Sequence, residues 1–141
     1  MEKIRLLAMN SARSWGGNEL WLSKTLNQLS SRGQEVHLAV RADIFKGKLD
    51  TAVKVHKFPF RHEIDIPTIG KLTELIKRNS LNLVLATKRK EYGMSGFLKM
   101  RTGLPVVFRL GIVREINILD LPQRAVYNQV PDSIIVNARR I

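Results

Sequence analysis

The chain has 141 residues, 44% of them apolar and 26% charged, with only 9 Gly and 5 Pro, enough for one domain with a real core and too well mixed for a disordered or fibrous protein. It has no cysteine and three scattered histidines, which excludes a disulfide scaffold, thiol catalysis and Cys-ligated metal and argues against an all-His site, so no metal or other cofactor is expected. Twenty-four Lys and Arg against twelve Asp and Glu leave a net charge of +12, a field that attracts nucleic acid, phospholipid headgroups or phosphorylated small molecules.

The opening run Lys3–Met9 is apolar without helical period and leads into a turn-like segment, Asn10–Asn18, which predicts a buried strand ending in a glycine loop. From Glu19 to Arg32, Leu22, Leu26 and Leu29 recur at helical spacing, with Asn18 placed to cap and Gly33 to terminate. Residues 35–40 form a second predicted strand, so the first forty residues spell strand, helix, strand. Residues 53–58 alternate with period two, which marks a strand near a sheet edge, and Pro59 ends it. Asp65 and Pro67 suit a helix start, and Ile69, Leu72, Leu75 and Ile76 carry that helix to Asn79. Strand 81–87, helix 91–101, strand 105–110, a weakly patterned helix 121–130 and strand 133–138 complete the series. Six strands alternating with four helices predict an α/β fold: an open parallel, Rossmann-like sheet with helices on both faces, in one domain over 1–141. The longest charge-free stretch, Asn79–Thr87, has nine residues and the first apolar run is only Leu6–Met9. Neither a bilayer span nor a signal peptide is therefore expected, and the absence of cysteine fits a cytoplasmic location.

In open parallel sheets ligands bind at the carboxyl ends of the strands. The segments forming that edge, 10–18, 41–48, 59–65, 87–91 and 109–115, hold ten basic side chains against five acidic ones, a net charge of about +5 that suits an anion or simply reflects basic residues collecting in loops. Gly16 and Gly17 lack Cβ atoms, so their amides can approach a phosphate at a helix N-terminus. The alternative is a plain turn in which Glu19 itself satisfies the helix dipole. Neither a Gly-x-Gly-x-x-Gly fingerprint nor a Gly-x-x-x-x-Gly-Lys-Ser/Thr loop is present, which argues against dehydrogenase and ATPase readings. Trp15 either stacks on a sugar or base or shields the loop, Trp21 is expected to pack, and His37 and His56 read as structural strand residues.

The succession Ser14-Trp15-Gly16-Gly17-Asn18-Glu19, amphipathic helix, Ser31-Arg32-Gly33-Gln34-Glu35-Val36 resembles the start of the retaining glycosyltransferases of family four, enzymes of the two-domain GT-B architecture. Asp65-Ile66-Pro67 with the run to Asn79 and strand Leu81–Ala86, then Gly103-Leu104-Pro105-Val106-Val107, then Asp132-Ser133-Ile134-Ile135-Val136-Asn137, resemble later passages of the same N-terminal domain, in order. The resemblance implies that the chain is the acceptor-side domain and that a C-terminal, donor-binding domain, which carries the family's carboxylate pair and nucleotide-binding loop, is absent from it. It further implies that Gly16, Gly17 and Asn18 face the diphosphate of a nucleotide-sugar donor. The family's His-Gly turn is replaced here by Arg109-Leu110-Gly111, so Arg109 and Gly111 stand at the donor position without the histidine. An anionic glycan or glycolipid acceptor would then meet Arg13, Arg61, His62, Lys88, Arg89, Lys90 and Arg114, with the run Lys88–Lys90 equally readable as a solvated strand end. The isolated domain is expected to be inactive and to dock at the inner face of a membrane through its basic surface. The competing reading is a basic α/β nucleic-acid-binding module, favoured by a sequence pI of about 10.6 and disfavoured by 6% aromatics and the lack of a basic helix or helix-turn-helix. A phosphoacceptor signalling domain would need acids after the first and third strands, where Asn10 and Pro59 stand.

Overall fold

The computed structural model describes residues 3–62, 64–110 and 130–136. Along them run β1 (Arg5–Asn10), α1 (Gly17–Ser31), β2 (Glu35–Val40), a 3₁₀ turn (Asp43–Phe45), β3 (Lys54–Lys57), α2 (Ile66–Asn79), β4 (Leu83–Ala86), α3 (Arg89–Thr102), β5 (Val106–Leu110) and β6 (Ser133–Val136). The six strands are all parallel and lie in the order β3-β2-β1-β4-β5-β6, an open Rossmann-like sheet as the alternation of elements predicts. The chain walks outward from β1 to β3, crosses back to β4 and walks outward again. The direction therefore reverses between β1 and β4. Of the four predicted helices three lie among the described residues; the fourth, 121–130, lies outside them except for Val130.

Period-two alternation sorts the side chains onto two faces. Leu6 and Ala8 of β1 join Leu22 and Leu26 of α1, with Val36, Leu38, Val40 and Leu85. Leu7 and Met9 join Leu72 and Ile76 of α2 and Met94 and Leu98 of α3, with Val84, Val106 and Phe108. Each of these side chains larger than alanine contributes about 1.5–3 kcal/mol on burial. The central strands are thus apolar on both faces, which is why β1, β2 and β4 read as nearly continuous apolar runs.

The helix ends carry their local chemistry. Asp65 caps α2, accepting from the Thr68 backbone N–H at 3.3 Å and its hydroxyl at 2.8 Å. After α1, Gly33 adopts φ +83°, with its N–H bonded to the Ser30 carbonyl and that of Gln34 to the Leu29 carbonyl, a Schellman closure. The expected cap of α1 is corrected: the helix begins at Gly17, Gly16 is the cap residue, and Asn18 lies inside the first turn. Asn18 is freed from capping because its amide is used elsewhere, as described below. Among the described strands β3 pairs with β2 alone and is largely exposed, at the sheet edge near which its alternation placed it.

Candidate functional site

The reversal between β1 and β4 is where loops from two neighbouring strands leave for opposite faces, the position at which open parallel sheets characteristically form a ligand crevice beyond the strand ends. Strand alternation decides what lines it. On the α1 face, the residue ending β1, the residue just after β4 and the fourth residue of β5 stand in one row: Asn10, Thr87 and Arg109. The first turn of α1 lies over that row. The Asn10 amide donates to Glu19 Oε2 at 3.0 Å and to Thr87 Oγ1 at 3.1 Å, while Thr87 Oγ1 donates back to the Met9 carbonyl at 2.8 Å. The Asn18 amide donates to the Thr87 carbonyl at 2.9 Å, and its oxygen accepts from Arg109 Nη1 at 3.2 Å.

On the opposite face the next residue of the chain is held in the same manner. The Ser11 backbone N–H and hydroxyl donate to the two oxygens of Glu91, each at 2.8 Å. Glu19 and Glu91 are each the third residue of their helix. Consecutive residues at the end of the central strand are therefore gripped by equivalent carboxylates from the two faces of the sheet. Both carboxylates are buried. Glu19 has a counter-charge, Lys88 Nζ at 3.5 Å. Glu91 has none within ion-pair distance among the described residues, and burial pushes its carboxyl up to about 7, against the opposing pull of the two Ser11 hydrogen bonds and the Lys88 charge.

Two features of this end of the sheet bear on what it could bind. A Cβ on Gly16 would come 3.3 Å from Glu19 Oε1, so this glycine lies against its own helix, whereas a Cβ on Gly17 would meet nothing within 4 Å. Gly17 is exposed at the N-terminus of α1, with a free approach to its backbone. Arg109 is only 7% exposed; its guanidinium lies 4.7 Å over the Trp21 ring and is bonded to Asn18, yet no carboxylate of the described residues is within ion-pair distance. A nearly buried cation without a counter-charge is costly unless an anion joins it.

The sequence matches no known protein family and no curated protein.

Of the expected donor residues, Gly17, Asn18 and Arg109 come together at the crevice, Gly16 stands beside them, and Gly111 lies outside the described residues. Of the expected acceptor residues, Lys88 joins the crevice through Glu19. Arg13, Arg61, His62 and Arg89 are exposed around the carboxyl edge, and Lys90 is spent on the Phe60 carbonyl at 2.9 Å, fastening the loop after β3 to α3. Arg114 lies outside the described residues. Trp15 packs edge-on against Phe45 with the Lys48 ammonium 4.4 Å over its ring, and His37 and His56 hydrogen-bond each other at 3.0 Å between β2 and β3.

Asn10, Ser11, Thr87 and Glu91 are the residues that the sequence reading missed as a group. Their one signal is a polar residue ending each of two apolar runs and a Glu at the third position of each following helix. A groove of about 290 Å³ also lies beyond β2, lined by Val40, Phe45, Leu49, Val53 and Val55 with Asp43, Lys46 and Asp50 at its rim. It begins at Val40, the register partner of Asn10, and neither Gly17 nor Arg109 lines it. Among the described residues no group of three or more His, Asp or Glu stands close enough to hold a metal, and no helix is long and apolar enough to cross a membrane.

Proposed function

We propose that this domain is the acceptor-side half of a glycosyltransferase that moves a sugar from a nucleotide-sugar donor to an anionic glycan or glycolipid, with the crevice facing the donor diphosphate. The observation that carries the reading is the pairing of the open Gly17 backbone with the Arg109 guanidinium, which is joined to the first turn of α1 through Asn18 and has no carboxylate partner among the described residues. Transfer requires negative charge on the leaving diphosphate to be stabilised as the glycosidic bond breaks, and backbone amides at a helix N-terminus with a planar guanidinium supply that without reorganisation. Retention of configuration, the nucleotide-binding loop and the carboxylate pair belong in this reading to a second α/β domain. Arg13, Arg61, His62 and Arg89 are the exposed edge residues left for an acceptor, and the net charge of +12 favours docking at the anionic inner face of a membrane.

Titration of the full chain with uridine diphosphate glucose and with inorganic pyrophosphate, followed by amide NMR, tests the reading. Both ligands are expected to shift the amides of Gly17 and Asn18, saturably and with millimolar-range affinity suited to half a site. Shifts confined to scattered surface lysines would remove the crevice from the reading. Tight, steeply salt-dependent binding of oligonucleotides in the same assay would favour a nucleic-acid-binding module instead.

A further inference from the structure

His37 and His56 sit diagonally across the β2–β3 ladder, on the side of the sheet that carries Leu7 and Ala39. His37 is 1% exposed and has both ring nitrogens engaged: Nε2 lies 3.2 Å from Glu35 Oε1, and Nδ1 lies 3.0 Å from His56 Nε2. The two rings are within 9° of parallel with centroids 5.2 Å apart, so the facing nitrogens meet head-on. The His37 hydrogen bond, helped by Lys54 and Lys3 against burial, holds the Glu35 carboxyl below its ordinary range. An ionised carboxylate only accepts. His37 Nε2 therefore carries the hydrogen, His37 Nδ1 offers its lone pair, and His56 Nε2–H donates into it. One polarity runs the length of the chain, and the nitrogen left to take up a further proton is His56 Nδ1, which no hydrogen bond among the described residues engages.

That proton adds to a positive strand. Lys54 and Lys57 flank His56 on β3. Lys54 Nζ already lies 3.7 Å from Glu35, and Arg5 Nε of β1 lies 3.8 Å from it, so the one carboxylate of the chain is shared before His56 is charged. Lys57 answers to Asp43 of the 3₁₀ turn at 3.3 Å. On α2, which packs on this side of the sheet, Lys71, Glu74, Lys77 and Arg78 are exposed, and Glu74 and Arg78 pair with each other. Burial first, then His37 and Lys54, push the His56 imidazole below its ordinary 6.5. A lowered value makes its contribution to stability present above 6.5 and lost as pH falls through that lowered value.

We propose that Glu35, His37 and His56 form an acid-release catch, in which a proton taken up by His56 loosens the edge strand β3 from β2. Among the described strands β3 is held by β2 alone, so no second ladder keeps it in place. Three positive charges within four residues repel one another and the cations gathered around Glu35. Val55, and Val53 just before the strand, line the groove beyond β2 and move with β3. Release leaves the apolar β2 with an open edge.

On the full chain, imidazole nitrogen-15 shifts are recorded at about pH 7.5, and amide exchange protection is followed at about pH 7.5 and about pH 5.5. Both rings are expected in the Nε2–H form at the higher pH. The Phe58 N–H, which bonds the Val40 carbonyl at 2.9 Å just past β3, is expected to lose protection about tenfold in acid. The Val84 N–H, bonded to the Pro105 carbonyl at 3.1 Å in the middle of the sheet, is expected to keep its protection. The variant His56→Gln still donates to His37 Nδ1, can turn its oxygen inward when His37 is protonated, and never becomes charged itself. Its Phe58 protection is expected to be the same at both pH values. A hydrogen on His37 Nδ1 at the higher pH overturns the catch, and so does an equal loss at Val84 or a loss that survives in His56→Gln. Should the variant fail to fold, the wild-type nitrogen shifts and the contrast between Phe58 and Val84 decide.

Discussion

Two buried carboxyls show how little the residue type says without its donors. Asp65 loses water as Glu91 does, and burial alone would raise it. Hydrogen bonds from the Arg61 and Thr68 backbone and the Thr68 hydroxyl outweigh that and hold it below the ordinary range. Its contribution to stability is therefore present above about 3.8 and lost as pH falls through its lowered value. Replacing Asp65 with Ala removes the α2 cap and is expected to lower stability by about 1–2 kcal/mol in urea unfolding. Glu91 has the opposite sign. With an ordinary value of 4.5 raised to about 7, it favours the folded state fully below the lower figure, and that advantage, about 3 kcal/mol, disappears as pH rises through the upper one. Unfolding at about pH 5 and about pH 8 should show the loss in the wild type and its absence in Glu91→Gln. Arg109→Met removes a buried cation that has no carboxylate partner among the described residues, together with its place over Trp21 and its bond to Asn18; stability is expected to stay within about 1 kcal/mol while affinity for uridine diphosphate glucose drops about tenfold. A marked loss of stability would make Arg109 a structural residue. Asp65 was legible in the sequence because a cap sits beside its helix, whereas the role of Glu91 depends on a serine 80 positions away.

Among the elements, α1 is the one whose reading changed. Its apolar spacing fixed the buried face, but the start moved to Gly17 because the Asn18 side chain finds a better partner across the sheet in Thr87 than in its own backbone. Cap preferences describe local competition, and here a tertiary acceptor won it. The two glycines consequently differ. Gly17→Val places its side chain in open space and is expected to leave the stability unchanged to within about 0.5 kcal/mol while abolishing the response of the Asn18 amide to pyrophosphate. Gly16→Val has to displace the Glu19 carboxylate, 3.3 Å from the new Cβ, and should cost more. Equal stability for the two variants would contradict the asymmetry of the turn. The alternation in β3 pointed to a strand near a sheet edge, and it stands at the edge of the sheet; neither of its faces is dry, since the apolar Val55 is itself 49% exposed.

For the molecule as a whole, alternation of strands and helices carried the α/β class, because parallel strands need crossovers and crossovers need covered faces. The row Asn10, Thr87, Arg109 was not readable, since it joins residues from three strands whose lateral order only the folded sheet fixes. The charge of +12 was plain from composition, and it makes the folded chain repel itself. Raising sodium chloride from low concentration to about 0.5 M should accordingly raise the melting temperature while weakening binding of uridine diphosphate glucose, both by screening. Insensitivity of both would mean that the charge is already neutralised locally. Asn10 and Ser11 answer to helices on opposite sides of the sheet through neighbouring peptide units. The tip of α1 and the first turn of α3 are thus moored to adjoining residues of one backbone, so the two layers of the domain are pinned together at a single point.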